Sequence, residues 1–285
     1  MECFCINLDS QPQRIDYLQR NFAAHKAPGW FLNRVPAIDK QYIAQHAVQG
    51  MIRAGEKGCF LSHRRAFQAS LEAPGHAMIL EDDAMFGPSS CASIQAALAK
   101  LPEDGWDLLF TDVSIYYGPL MVAIMQERRT YSRGGGPILM NMNEFPFCGS
   151  TAYVVNSRSK ERMLALTDIA SLDEPYDVFL RNLIRQEKIR SRLTFPFATS
   201  LSEFADSSGV QEGADAQITI LNAFRRFVWL DRDVQAVSAG LDRLGDSYID
   251  ADAAVFARII GALLTQEENS ARAGATAPAA DAPTC

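Results

Sequence analysis

The stretch His76-Ala77-Met78-Ile79-Leu80-Glu81-Asp82-Asp83 decides the fold. Its apolar run is short, uninterrupted and closed abruptly by three acids, the pattern of a buried strand. Upstream, Cys3-Phe4-Cys5-Ile6-Asn7-Leu8 repeats the pattern and ends in Asp9-Ser10. These cap a helix with Pro12 near its first turn, which reads from Arg14 onward to Phe22 with Ile15, Leu18 and Phe22 at helical spacing. A further strand is predicted at Trp30 to Val35. From Gly58 to Leu71 the spacing predicts a helix entered through a glycine turn. Downstream come a helix near Ser90 to Leu101 and a strand at Trp106 to Phe110, ending in Thr111-Asp112. Strands alternating with helices define an α/β domain with a mainly parallel sheet.

Residues 114–146 carry Tyr116-Tyr117-Gly118-Pro119 and Arg133-Gly134-Gly135-Gly136-Pro137, breaker signals that predict hairpins and loops. A strand at Thr151 to Val155, helices at Ser157 to Leu166 and Pro175 to Lys188, and a strand near Leu193 to Phe195 follow. Ala214 to Leu230 and Asp250 to Leu264 read as helical. Glu267 to Cys285 holds almost no large apolar residue and is expected to be a mobile tail. The expected division is a domain over 1–210, a helical region over 211–266 packed on it, and a disordered tail over 267–285.

Hydrophobic residues are 48% and charged residues 21% of 285, an ordinary globular balance that excludes global disorder, collagen and coiled coil. No apolar run approaches the roughly 18–20 residues of a membrane span. The first residues lack the basic flank and apolar core of a secretory signal. The six cysteines are scattered, so free thiols and a cytoplasmic enzyme are expected. A formal charge of −7 argues against a nucleic-acid partner.

Glu81-Asp82-Asp83 falls where open α/β sheets bind ligands, at a strand's carboxyl end. Adjacent carboxylates repel by roughly 1 kcal/mol per pair in water and more near a protein surface, a cost a divalent cation removes. Oxygen ligands suit Mg2+ or Mn2+. The alternative is a solvated acidic turn. Gly58-Cys59-Phe60-Leu61-Ser62-His63 reads either as a helix start facing a diphosphate or as a plain capped helix. Histidines and cysteines show no zinc spacing. Asp177, at a helix start, reads as a cap or as a general base. Arg181 to Arg192 reads as a basic face, and Ile218 to Leu230 as core rather than a membrane anchor.

In this order the segments resemble glycosyltransferase family 25, the lipopolysaccharide β-galactosyltransferase type. The resemblance rests on Ile6-Asn7-Leu8-Asp9 with Arg14, Pro36-Ala37-Ile38-Asp39, Gly58-Cys59-Phe60-Leu61-Ser62-His63, Ile79-Leu80-Glu81-Asp82-Asp83 and Gly149-Ser150-Thr151-Ala152-Tyr153-Val154-Val155. It covers about residues 3–210, and Lys40 replaces the family's glycine after Asp39. It implies a GT-A-like, Rossmann-type fold, a nucleotide-sugar donor and inversion at the anomeric carbon. Carried over, Asp83 is the direct ligand of Mn2+ (or Mg2+), with Asp82 and Glu81 beside it on the metal's water or the ribose. Asn7, Leu8, Arg14, Ala37 and Asp39 line the nucleoside pocket, and Gly58, Ser62 and His63 lie near the diphosphate. Asp177 is the expected base, with Asp112 second because it also follows a strand. The expected reaction moves galactose from UDP-galactose to a glycan such as lipooligosaccharide. UDP-glucose, a UDP-N-acetylhexosamine or a silent sugar-binding module are the alternatives. A lipid-borne acceptor implies peripheral contact with the inner face of the cytoplasmic membrane.

Overall fold

The computed structural model describes residues 1–131, 136–143, 145–207, 216–242, 244 and 249–275. The strands are β1 (Glu2–Asn7), β2 (Phe31–Pro36), β3 (Ala77–Glu81), β4 (Ala84–Met85), β5 (Leu108–Phe110), β6 (Ser114–Ile115), β7 (Ile138–Asn141), β8 (Phe147–Cys148), β9 (Ala152–Val155), β10 (Ser191–Phe195) and β11 (Ser200–Leu201). The helices are α1 (Pro12–His25), α2 (Lys40–Gln45), α3 (Ala54–Ser70), α4 (Ser90–Leu98), α5 (Gly118–Tyr131), α6 (Lys160–Leu166) and α7 (Tyr176–Arg185). After a 3-10 turn at Glu203–Ser207 come α8 (Ala216–Val228), α9 (Val234–Asp242) and α10 (Ala251–Ala275).

Seven strands form one sheet in the order β2-β1-β3-β9-β5-β10-β7. Pairings β1–β2, β1–β3 and β5–β10 are parallel, while β9 runs antiparallel between β3 and β5, and β7 antiparallel to β10. Five strands therefore point one way, and the expected mainly parallel α/β sheet with flanking helices is what the chain builds. Its central strands read as continuous apolar runs because both faces are covered. Phe4, Ile6 and Ile79 pack with Phe60 and Phe67 of α3 and Phe179 and Leu180 of α7. Cys3, Cys5, Met78 and Leu80 face the other way, onto Ile15, Leu18 and Phe22 of α1 and Ile94 of α4. Each such Leu, Ile, Phe or Met side chain stabilises the fold by about 1.5–3 kcal/mol relative to leaving it exposed.

Two expectations are corrected. Residues 118–131, read as loop, form the fourteen-residue helix α5. Gly118-Pro119 stands at its start, where proline's missing N–H costs nothing. Helix α3 starts at Ala54, with Glu56 accepting from the Arg53 backbone N–H at 2.9 Å, not at a glycine turn at Gly58. Gly58 sits in the second turn because a Cβ there would lie 2.4 Å from the Ile38 carbonyl oxygen.

The chain divides into compact units over Met1–Ser238 and Ala239–Cys285. Helix α8 belongs to the first, and α10 lies in the second, running through Ala275. Residues 276–285 of the expected tail, and Gly134 and Gly135 of the glycine run, lie outside the described residues.

Candidate active site

The ends of β1 and β3 lie side by side, with Ile6 opposite Glu81, and a cavity of 590 Å³ opens there. It is lined by Asn7, Leu8, Arg14, Ala37, Asp39, Ser62, His63, Glu81, Asp82 and Asp83, among others. Ten of the sequence-predicted residues thus lie on its lining. Gly58, Asp112 and Asp177 are not on it.

Asn7, the last residue of β1, donates through Nδ2 to Asp82 Oδ2 at 2.7 Å and accepts from Arg34 Nε at 2.9 Å. Arg34 also pairs with Asp9, so β2 clamps the turn after β1. From α1, Arg14 donates through Nε to Asp82 Oδ1 at 2.6 Å and through Nη2 to Asp83 Oδ2 at 3.2 Å. Its Nη1 donates to the Phe204 carbonyl at 3.2 Å, which brings the 3-10 turn to the cavity wall. Both Asp82 oxygens are therefore engaged. Asp83 Oδ1 is buried and has no hydrogen-bond partner.

That orphaned oxygen is the observation that fits a hard divalent cation, since a buried carboxylate oxygen left unpaired is costly. Burial and the neighbouring Glu81 charge push the Asp83 carboxyl up to about 7, with Arg14 opposing. Burial likewise raises Asp82, against the pull of Arg14 and Asn7. Glu81 goes the other way. Burial raises it, but His63, Arg225 and Arg14 together hold it below the usual carboxylate range.

Along the opposite wall, Asp39 caps α2, its Oδ1 accepting from the Tyr42 backbone N–H at 2.7 Å. The Ala37 N–H donates to the Asn7 carbonyl at 2.9 Å, fixing the wall to β1. Ser62 Oγ accepts from the Ile38 N–H at 2.7 Å and donates to the Gly58 carbonyl at 2.6 Å. Its hydroxyl proton is thus spent inside α3, while its accepting lone pair joins α3 to this wall. Because α3 starts earlier than expected, Gly55, in its first turn, lines the cavity in place of Gly58. Lys40 and Arg14 supply positive charge there.

His63 is fully buried, its Nδ1 2.9 Å from the Tyr153 hydroxyl and its ring stacked on Tyr176 at 4.0 Å. Nε2 has no hydrogen-bond partner, and Glu81 Oε1 lies 3.6 Å away. One turn earlier on α3, Cys59 also lines the cavity. The sequence reading missed this pairing, although Cys59 and His63 stand four apart and so share a helix face.

Asp177 opens α7. Its Oδ2 accepts from the Gly149 N–H at 2.7 Å and its Oδ1 from the Val178 N–H at 2.9 Å. Burial raises the Cys59 thiol, and the charges of Glu81, Asp177 and Asp83 raise it further. Asp112 is different. It is fully buried, paired with Arg225 of α8, and Thr199 Oγ1 donates to it at 3.4 Å. Arg225 also donates to Thr151 Oγ1 at 2.9 Å and Ser114 Oγ at 3.2 Å. Burial raises the Asp112 carboxyl, and Arg225 opposes the rise.

Residues 1–180 match the family described as glycosyltransferase family 25 (LPS biosynthesis protein). The chain belongs to that family. No curated protein matches it. Among solved structures, the glycosyltransferase GlyE of Streptococcus pneumoniae TIGR4 is similar at 10% identity and a TM-score of 0.35, over 67% of this chain. The chain spans only 44% of GlyE's length. Galactosyltransferase LgtC, solved with donor and acceptor sugar analogs, is similar at 12% identity and a TM-score of 0.35, over 65% of this chain and 70% of its own. Among the described residues of this family-25 chain, no helix is long and apolar enough to cross a membrane.

Proposed function

We propose that this glycosyltransferase moves a hexose, galactose from UDP-galactose, onto a glycan acceptor such as lipooligosaccharide, with inversion at the anomeric carbon. The observation that carries the reading is the buried, unpartnered Asp83 Oδ1 beside Asp82, Asn7 and Arg14 at the mouth of β1 and β3. Asp83 would hold Mn2+ or Mg2+, with Asp82 and Glu81 beside it. Such a cation, when bound, offsets the charge that develops on a departing diphosphate.

The chain's own groups do the rest. Asn7, Leu8, Ala37 and Asp39 wall the nucleoside. Arg14 and Lys40 add positive charge for the diphosphate, where fixed charges stabilise the transition state without reorganising. Asp177, its carboxylate held by two backbone N–H groups, takes the proton of the acceptor hydroxyl as that oxygen attacks the anomeric carbon. Such a base contributes about 10²–10⁴-fold. Asp112 is set aside as the base because its charge is committed to Arg225. The acceptor, if lipid-borne, would bring the enzyme to the inner face of the cytoplasmic membrane.

The test is Asp177→Asn, assayed for UDP-sugar binding and for transfer, with the anomeric configuration of the wild-type product read by NMR. Donor binding within twofold of wild type, transfer lost by at least a hundredfold, and an inverted product are expected. Unchanged transfer removes Asp177 from the mechanism, and a retained configuration removes inversion.

A further inference from the structure

Cys59, His63 and Glu81 offer one thiol, one imidazole and one carboxylate whose ligand atoms all lie within 4.8 Å of one another. Two come from one face of α3 and the third from the end of β3. In a tetrahedral zinc site with bonds of roughly 2.0–2.3 Å, neighbouring ligand atoms stand about 3.5 Å apart. His63 Nε2 and Glu81 Oε1, at 3.6 Å, already have that spacing.

The imidazole supplies the second observation. A histidine buried for packing alone finds partners for both ring nitrogens. Here Nδ1 meets the Tyr153 hydroxyl at 2.9 Å, itself 2.8 Å from the Tyr176 hydroxyl, while Nε2 is buried with no hydrogen-bond partner and faces only the Glu81 carboxylate at 3.6 Å. A ring held through one nitrogen, with the other free of a hydrogen bond and turned toward a carboxylate, is how ligating histidines are oriented. Charge balances too. A dication with one thiolate, one carboxylate and a neutral imidazole sums to zero, which suits a partly buried site.

We infer that Cys59, His63 and Glu81 form a three-ligand site for a borderline-soft divalent cation of the zinc type, distinct from the hard-cation position at Asp83. A thiolate selects such a cation over Mg2+ or Mn2+. Binding forms the metal–sulfur bond as the Cys59 S–H bond breaks, and the proton leaves to solvent, so uptake strengthens with pH. All three residues line the cavity. Resting on the proposed function, the consequence is competition, because His63 and Glu81 belong to the same donor wall.

The test titrates Co2+ and then Zn2+ into metal-free wild-type protein, with Cys59→Ser, Glu81→Gln and Asp83→Ala in parallel. The expected result is a near-ultraviolet sulfur-to-cobalt charge-transfer band that saturates at one Co2+ per chain and is displaced by Zn2+. Cys59→Ser should lose the band while keeping its circular dichroism, Glu81→Gln should weaken Zn2+ binding at least tenfold, and Asp83→Ala should keep the band. Absence of the band in wild type, or its persistence in Cys59→Ser, overturns the site. Loss of the band in Asp83→Ala overturns its independence. The spectrum is read with no donor present, so its failure is distinct from a failure of UDP-sugar binding.

Discussion

Arg14 and Asp82, 68 residues apart in sequence, meet at 2.6 Å with their side chains only 14% and 10% exposed. The same guanidinium reaches Asp83 at 3.2 Å, so one helix-borne cation neutralises part of an acidic cluster that the chain cannot avoid building at this strand end. Removing it leaves two poorly solvated carboxylates uncompensated. Pairs of this burial fall between exposed ones, worth about 0–1 kcal/mol, and buried ones, whose breakage costs about 3–5 kcal/mol. Arg14→Ala should therefore destabilise the metal-free protein by roughly 1–3 kcal/mol. Millimolar Mn2+ should restore part of that loss in urea unfolding. No recovery with Mn2+ would separate the cation from the acids.

Asp83 sets a pH dependence with a definite sign. Its folded-state value is about 7 against an ordinary 3.8, raised by burial and by Glu81. A raised carboxyl favours the fold fully below the unfolded value, and that contribution is lost as pH rises through the folded value. In EDTA, wild-type stability relative to Asp83→Asn should fall between about pH 4 and pH 7. Chemical denaturation across that range reads it, and a flat difference contradicts it.

Asp112 and Arg225 make a pair of a different kind, both almost fully buried. Truncating one partner strands the other charge. Arg225→Met should cost about 3–5 kcal/mol of stability. Asp112→Asn should cost less and retain transfer, because the amide can still hydrogen-bond and Asp112 carries no proton in the proposed chemistry. Abolished transfer in a folded Asp112→Asn protein would return Asp112 to the role of base.

Gly58 is a packing residue. An alanine there puts Cβ 2.4 Å from the Ile38 carbonyl oxygen, a backbone atom that cannot rotate away. Gly58→Ala should lower stability by about 1–3 kcal/mol, as overpacking does. It should also weaken donor binding by pushing the Ala37–Asp39 wall, measurable by calorimetry. A neutral substitution would show that α3 and this wall are not tightly joined.

The parts legible in the sequence are those written locally. Strands β1 and β3 announce themselves because buried apolar runs stop at polar residues, and those stops are the cavity's floor. Helix α5 was hidden because Gly118-Pro119 carries the same letters as a breaker, and Ile124 alone is deeply buried among its early residues. The start of α3 was misread because Gly58 answers a tertiary demand, closeness to Ile38, rather than a turn. Arg225 and Asp112 are 113 residues apart, and no spacing links them. Cys59 and His63 were legible by helical spacing, but Glu81 joins them only once β3 is laid beside α3.

The central claim is a cation-linked nucleotide-sugar site at Asp83. Its most direct test is calorimetric titration of a UDP-sugar panel with Mn2+ and again with EDTA, on wild type and Asp83→Ala. Tight binding of UDP-galactose with Mn2+, lost with EDTA and lost in Asp83→Ala, is the expected result. Binding of no UDP-sugar under any condition, or binding indifferent to both EDTA and the substitution, would contradict it.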